Sequence, residues 1–483
     1  MILGHALGYL VAAVLQAVAA LGLVAGLTRL LSDVEFGQYG LATATLHLYQ
    51  SVLFFWLRGS VSRFHATAEQ EGRLASFRAG VRRWFLAAAA LGGACGAVVV
   101  LVLPISPGLR ATIWAALLAA VAQGAFTLVL ELHRATLRAW RYSLFQSAQA
   151  ALSVALSLVL VLAAGHVAGG FAAAIAMMGL ALSYALCAMV DAHGLRFWFA
   201  AGRPMPGEMR RILMYGLPLS LAMVLDAVLA TGDRFVIAHY QGEAQVGPYA
   251  AAVTLAHRSL LALCTVVGAA AAPLAFAAMA EGGVVETRRR LADAGDLLLA
   301  VGVPAAFGLG ALAWPISEVM VAAPMRVAVA ALLPWIAAGA LMHGMAVHYF
   351  SQAFLLARRP MALVWCMLPV VAVYAALNIA LVSRYGPGGA AIAMVATQAL
   401  HLVLAIFLGR GHFPMPLRWV TAGKAIVAAA IMLAMLRWLD LPGGALGLVA
   451  QMALGAAIYG VVALALDIAH CRARLARLLR SPA

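Results

Sequence analysis

Runs of about 20 apolar residues, the length that crosses a bilayer as an α-helix, follow one another along the whole chain. They fall at 6–28, 38–57, 84–103, 111–132, 143–164, 167–190, 213–238, 248–279, 291–313, 327–350, 361–383, 388–409, 418–438 and 444–466. Inside a bilayer every backbone N–H and C=O must be satisfied within the segment, so runs of this length are helices. The chain therefore reads as an all-α polytopic membrane protein with about 14 transmembrane helices. Charged residues make up only 10% of the 483 positions and the mean hydropathy is +0.99, far from soluble globular usage. The opening "MILGHALGYLVAAVLQAVAALGLVAGL" has no basic leader, so the first span is expected to be retained and not cleaved as a signal peptide.

The basic residues set an orientation. With the tail inside, the even-numbered connections and the tail hold 24 of the 32 Arg and Lys, and the odd ones hold five, Arg29, Arg110, Arg326, Arg384 and Arg437. That alternation follows the positive-inside rule and implies a bacterial inner membrane with both termini cytoplasmic. The formal charge of +15 comes from 31 Arg and the single Lys424 against 17 acids. Such an excess sets topology or binds anions. Its dispersion over many inner loops argues against nucleic acid. Cys95, Cys187, Cys264, Cys366 and Cys471 stand singly, without metal or disulfide spacing, and nothing calls for a cofactor. The longest connections, 58–83 and 191–212, are too short for a soluble domain. A membrane enzyme that joins sugars would carry a larger outward loop or a catalytic lobe, so a transporter is expected and not an enzyme.

The stretch "LLSDVEFGQYG" at 30–40 is echoed by "AQVGPYA" at 244–250. Gly37 and Tyr39 match Gly247 and Tyr249 at a separation of 210 residues, and Ala42 matches Ala252. Six spans lie between the copies, so two six-helix lobes of the same orientation form a parallel repeat, followed by two C-terminal helices. The domains are then 1–190, a linker at 191–212, a second lobe at 213–410, the last two helices at 411–470 and a basic tail at 471–483.

"GLTRLLSDVEFGQYGLA" resembles the first-helix signature of bacterial polysaccharide flippases, the Wzx-type O-antigen and exopolysaccharide exporters of the multidrug/oligosaccharidyl-lipid/polysaccharide (MOP) superfamily. "MYGLPLSLAMVLDAVLATGDRFVIAHYQGEAQVGPYAAA" at 214–252 is similar to the same family's seventh helix, and "ELHRATLRAWRYSLFQ" at 131–146 to its connection between helices 4 and 5. The resemblance implies a V-shaped pair of lobes that moves an undecaprenyl-pyrophosphate-linked oligosaccharide from the inner to the outer leaflet. It further implies membrane lipids as surroundings and polymerase and chain-length proteins as candidate partners in lipopolysaccharide or exopolysaccharide synthesis.

A diphosphate needs fixed cations to cross hydrocarbon, and arginine grips phosphate with a planar fork that keeps its charge. Arg258, about 16 Å inside span eight at 1.5 Å per residue, is the foremost candidate. Arg58 and Arg63 at the end of span two are weaker ones, since arginines there also anchor helix ends. Asp226, midway along span seven, is a candidate for ion coupling, and Asp233 with Arg234 for a gate or structural pair. His47 with Gln50, His348 with Gln352, and Gln398 with His401 each share a helix face; they fit a sugar-lined cleft or interhelical hydrogen bonding. His343 and Asn378 belong to the same class. Arg134, Arg138 and Arg141 form a stripe suited to anionic headgroups, and "HCRARLARLLRSPA" reads as an amphipathic surface anchor. Prolines 218, 273, 304, 315, 334 and 369 are positioned to kink helices. The rival readings are a cation-coupled drug exporter of the same superfamily and a membrane-embedded polysaccharide polymerase or ligase.

Overall fold

In the computed structural model, residues 2–136, 138–199, 202–281, 283–357, 359–439 and 442–472 are described; most of the basic tail expected at 471–483 lies outside them. All regular elements among them are helices, and each expected span lands on one. In order they are α1 (Ile2–Leu30), α2 (Asp33–Tyr49), α3 (Phe55–Gln70), α4 (Leu74–Val102), α5 (Pro107–Ala135), α6 (Ala139–Ala164), α7 (Ala172–Val190), the short α8 (Ala192–Phe199), α9 (Pro206–Gln241), α10 (Glu243–Glu281), α11 (Gly283–Ala311), the short α12 (Ala313–Met320), α13 (Arg326–Met345), the short α14 (Gln352–Leu356), α15 (Pro360–Arg410), α16 (Trp419–Trp438) and α17 (Gly444–Leu466). A π-turn at Gln50–Phe54 joins α2 to α3, and another at Ala346–Phe350 follows α13. By length and composition ten helices among the described residues can each cross a membrane, or eleven if bent α9 is one span.

Local chemistry places the breaks. Ser32 and Glu35 form a capping box that starts α2, satisfying two orphan N–H groups, which gives the Glu35 carboxylate its place. Ser106 caps α5, accepting from the Leu109 N–H at 3.2 Å. The eleventh and twelfth spans share α15 and part at Gly386, whose φ of 56° only glycine adopts cheaply. α9 bends by 45° between Gly216 and Ser220, where the sequence has Pro218. Pro304, Pro334 and Pro369 lie inside helices.

The chain divides into two compact units, 1–250 and 251–483. The division falls within α10. The cause is the packing of α9 on α2 and α3. Ser60 Oγ donates to the Ile212 carbonyl at 3.1 Å, Trp84 Nε1 donates to that of Met209 at 3.1 Å, and Phe54, Leu57, Phe77, Phe85 and Ile212 bury a common apolar core. In the first unit α5, α6 and α7 pack closely, with Ser157 Oγ donating to the Ala176 carbonyl at 2.8 Å, the small-residue contact typical of helices in lipid.

In the second unit α11 packs on α13 and α16, and α13 on α15. Leu298, Val303, Tyr349, Phe350, Ala405 and Ala428 form its centre. α17 is the least buried of the ten membrane-crossing helices among the described residues, at 11%. Leu446 and Val461 stand exposed on it, an apolar surface suited to acyl chains and not to water.

Candidate functional site

In the first unit the two copies of the glycine motif meet. A Cβ on Gly37 would stand 1.8 Å from the Glu243 carbonyl oxygen and 3.4 Å from the Gly247 nitrogen, so the missing side chain lets α2 cross the start of α10 in backbone contact. Around that crossing lies a polar knot. Gln38 Nε2 donates to Glu243 Oε2 at 2.7 Å, and Ser106 Oγ donates to Glu243 Oε1 at 2.9 Å, tying α2, α5 and α10 together. Tyr39 is half-buried beside Phe36, with ring centroids 6.2 Å apart, and Tyr249 is fully buried.

Asp233 and Arg234 are both buried on α9, and the Arg234 backbone N–H donates to Asp233 Oδ1 at 2.9 Å. Asp233 accepts a 2.5 Å hydrogen bond from the Tyr249 hydroxyl. The Arg234 guanidinium donates to the Gly40 carbonyl at 3.1 Å and to Thr43 Oγ1 at 3.0 Å. Tyr249 thus belongs to the cluster that holds Asp233. The sequence carried it only as a repeat residue, because a contact 16 positions away leaves no helical-face signature.

The remaining candidates of this unit lie at other positions on α2, α3 and α9 and in the first π-turn. Asp226 is half-buried two turns earlier on α9. His47 is exposed on α2, and Gln50, in the π-turn, donates to the Ala120 carbonyl at 2.6 Å. Arg58 lies 4.0 Å from the buried carboxylate of Glu131, which Arg134 approaches from its own helix at 3.8 Å. Arg63 is exposed. A buried tie that sequence reasoning passed over links α5 to the end of α7, where His133 Nε2 and Asp191 Oδ2 stand 2.7 Å apart.

In the second unit Arg258 is the sixteenth residue of α10 and its side chain is exposed. Among the described residues no ion pair engages it. Its neighbour His257 stands against His343 of α13, ring centroids 6.0 Å apart, and His343 against His401 of α15 at 6.5 Å. Gln398 Oε1 lies 3.3 Å from His343 Nδ1. Gln398 and His401, singled out as a helix-face pair, are therefore gathered with two further histidines. His257 was missed; an imidazole deep in an apolar run was the available signal. His348, in the second π-turn, and Gln352 are half-buried, while Asn378 is buried and donates to the Tyr374 carbonyl at 3.0 Å.

At one end of this unit Arg418 bridges Asp293 at 3.2 Å and Asp296 at 2.5 Å, and the Tyr349 hydroxyl donates to the Leu291 and Pro416 carbonyls at 3.1 and 2.5 Å. Beside this tie opens a cavity of about 370 Å³ lined in part by Arg288, Arg410 and Trp419. No group of three or more His, Cys, Asp or Glu among the described residues has the geometry to hold a metal ion.

Solved structures share this architecture. The lipid II flippase MurJ, in an inward closed conformation, superposes with a TM-score of 0.76 at 13% identity, covering 97% of this chain and 99% of that one. An inward-facing multidrug resistance MATE family transporter of the MOP superfamily gives 0.68 at 13% identity over 83% and 94%. A MOP superfamily transporter from Pyrococcus furiosus gives 0.56 at 13% identity over 84% and 94%. Comparison with curated proteins returns no match. The family model described as "Polysaccharide biosynthesis protein" matches residues 3–279. That match takes in the motifs around Gly37 and Gly247 and more than half of the chain, which therefore belongs to the polysaccharide biosynthesis protein family.

Proposed function

We propose that the protein is a flippase that carries undecaprenyl-pyrophosphate-linked oligosaccharide units from the inner to the outer leaflet of a bacterial inner membrane. It works by alternating access coupled to an ion, both termini lie in the cytoplasm, and the units feed exopolysaccharide or O-antigen synthesis. The observation that carries this reading is the extent of the fold match. The lipid II flippase covers 97% of this chain, whereas the multidrug MATE transporter covers 83%. Family membership with polysaccharide biosynthesis proteins supports the same substrate class.

The site chemistry supports it as well. A diphosphate in hydrocarbon is costly by several kcal/mol even on lenient scales, of order 3 for one charge, and needs a cation that stays charged there. Arg258 offers one, exposed in the middle of an apolar helix. Arg58, half-exposed, and Arg63 would meet the headgroup nearer the helix end. Neutral groups such as His47, Gln50 and Gln398 suit sugar hydroxyls, for which donors and acceptors are needed without net charge. Asp226 would serve ion coupling, with Asp233 and Arg234 holding a gate.

Depletion in the native host tests the reading. Lipid-linked oligosaccharide should accumulate, protected in the inner leaflet, while resistance to cationic drugs stays unchanged. Loss of drug resistance with normal surface polysaccharide would favour an exporter, and accumulation of unpolymerised units in the outer leaflet would favour a polymerase.

A further inference from the structure

Three helices of the second unit each turn one histidine toward the others. His257 comes from α10 and is half-buried, His343 from α13 is 7% exposed, and His401 from α15 is fully buried. The ring centroids form a chain, 6.0 Å from His257 to His343 and 6.5 Å from His343 to His401. Gln398, one turn before His401 on the same face, stands 3.3 Å from His343 Nδ1 and fixes the middle ring.

Other ionisable groups among the described residues lie on the same elements. On α10 they include the exposed Arg258 and the buried Cys264, whose sulfur packs against Gly344. The π-turn after α13 brings His348, and α15 brings Cys366 and Tyr374. α11, packed on α13, carries Asp293 and Asp296, both held by Arg418.

Imidazole is the side chain whose ordinary pKa, about 6.5, lets it gain and lose a proton near neutrality. A lone imidazolium in an apolar interior is costly. A proton bound on one ring disfavours a second on its neighbours by like-charge repulsion.

We propose that His257, His343 and His401 form one proton-binding site, loaded and discharged with a single proton in each transport cycle, which makes the carrier proton-coupled. The proton comes from water on one side, adds to a ring nitrogen lone pair, and leaves to water on the other side; no bond to the substrate forms or breaks. This rests on the flippase reading for its cargo. It does not require Asp226, which lies in the first unit.

The test reconstitutes the full chain in liposomes with a fluorescent undecaprenyl-diphosphate disaccharide as probe and an imposed difference of about one pH unit. With one proton per turnover, the wild type should build a leaflet asymmetry approaching tenfold, since one pH unit corresponds to a factor of about ten. The triple His→Gln variant should bring the probe only to an even distribution. His257→Gln, at the half-buried ring, repeats the test in a variant least prone to misfold, and should also lose the asymmetry while still equilibrating the probe.

In detergent, the wild type minus the triple variant should take up fewer than three protons between about pH 8 and 5, over a range broader than one simple titration. Undiminished asymmetry in the variants, or three independent single-proton steps, overturns the proposal. If the wild type moves no probe, the flippase reading fails, and the proton difference curve alone decides the histidine site.

Discussion

Substituting Gly37 with alanine tests whether the glycine motif works as a crossing point. The new Cβ would lie 1.8 Å from the Glu243 oxygen and 2.7 Å from its carbonyl carbon. Carbon and carbonyl oxygen come no closer than about 3.3 Å even in favourable C–H···O contacts, so α2 must withdraw by roughly 1.5 Å. The obstacle is backbone, and no rotamer change relieves it.

A shift of that size breaks the 2.7 Å bond from Gln38 to Glu243. A hydrogen bond to a charged group is worth about 1.5–3 kcal/mol, and overpacking a close contact costs about 1–3 kcal/mol. Against this stands a gain of about 1 kcal/mol from replacing glycine by alanine in a helix. The net loss is about 3 kcal/mol, a fall in melting temperature of roughly 10 °C for a unit of this size.

The assay is thermal unfolding in detergent, followed by a thiol-reactive dye that reports exposure of the buried Cys187 in the same unit. Gly22→Ala is the control, because nothing lies within 4 Å of its Cβ, and it should match or slightly exceed the wild type. A Gly37→Ala protein that melts within a degree or two of Gly22→Ala would refute the crossing.

Further expectations concern single side chains. Arg418→Ala strips the 1% exposed Asp296 of its cation; because the Arg418 side chain is itself 38% exposed, the loss falls between surface and buried pairs at about 2 kcal/mol, read as an earlier melt followed at Cys264. His65, buried in the polar part of α3 beyond the second apolar run, is held below the ordinary histidine pKa by burial and then by Arg78. The folded state therefore binds its proton more weakly than the unfolded state, so the stability present above about pH 6.5 falls as the pH drops below it. His65→Phe should flatten that part of the stability profile below about pH 6.5, and an unchanged slope would count against it. Arg258→Ala should leave the melting temperature within about 2 °C, as exposed substitutions do, and slow translocation about tenfold or more through loss of a charge-assisted contact; Arg258→Lys should recover part of the rate.

The spans were legible because bilayer thickness imposes a length on apolar runs, and the expected runs and the helices agree along the chain. Ends were less so. The second run was read from 38, yet α2 begins at Asp33, since the Ser32 and Glu35 capping box makes polar residues helical. α3 continues to Gln70 because its packing on α9 outweighs its polarity.

Spacing along one helix also showed that Gln398 and His401 share a face. It did not show that His257 and His343 reach them from other helices, or that Tyr249 folds back onto Asp233. Contacts between helices depend on crossing points such as Gly37, and a single sequence marks those only as small residues among many.

The most direct measurement of the central claim is leaflet accessibility of a fluorescent undecaprenyl-diphosphate oligosaccharide in liposomes, with and without the protein, after adding a membrane-impermeant quencher. Protein-free vesicles should keep about half of the label protected, as bilayer symmetry dictates and as the cost of carrying charge through hydrocarbon maintains. With the protein present, the account predicts that nearly all of the label becomes quenchable and that the oligosaccharide is unchanged in length. A protected half that persists, or a glycan that grows, would contradict it.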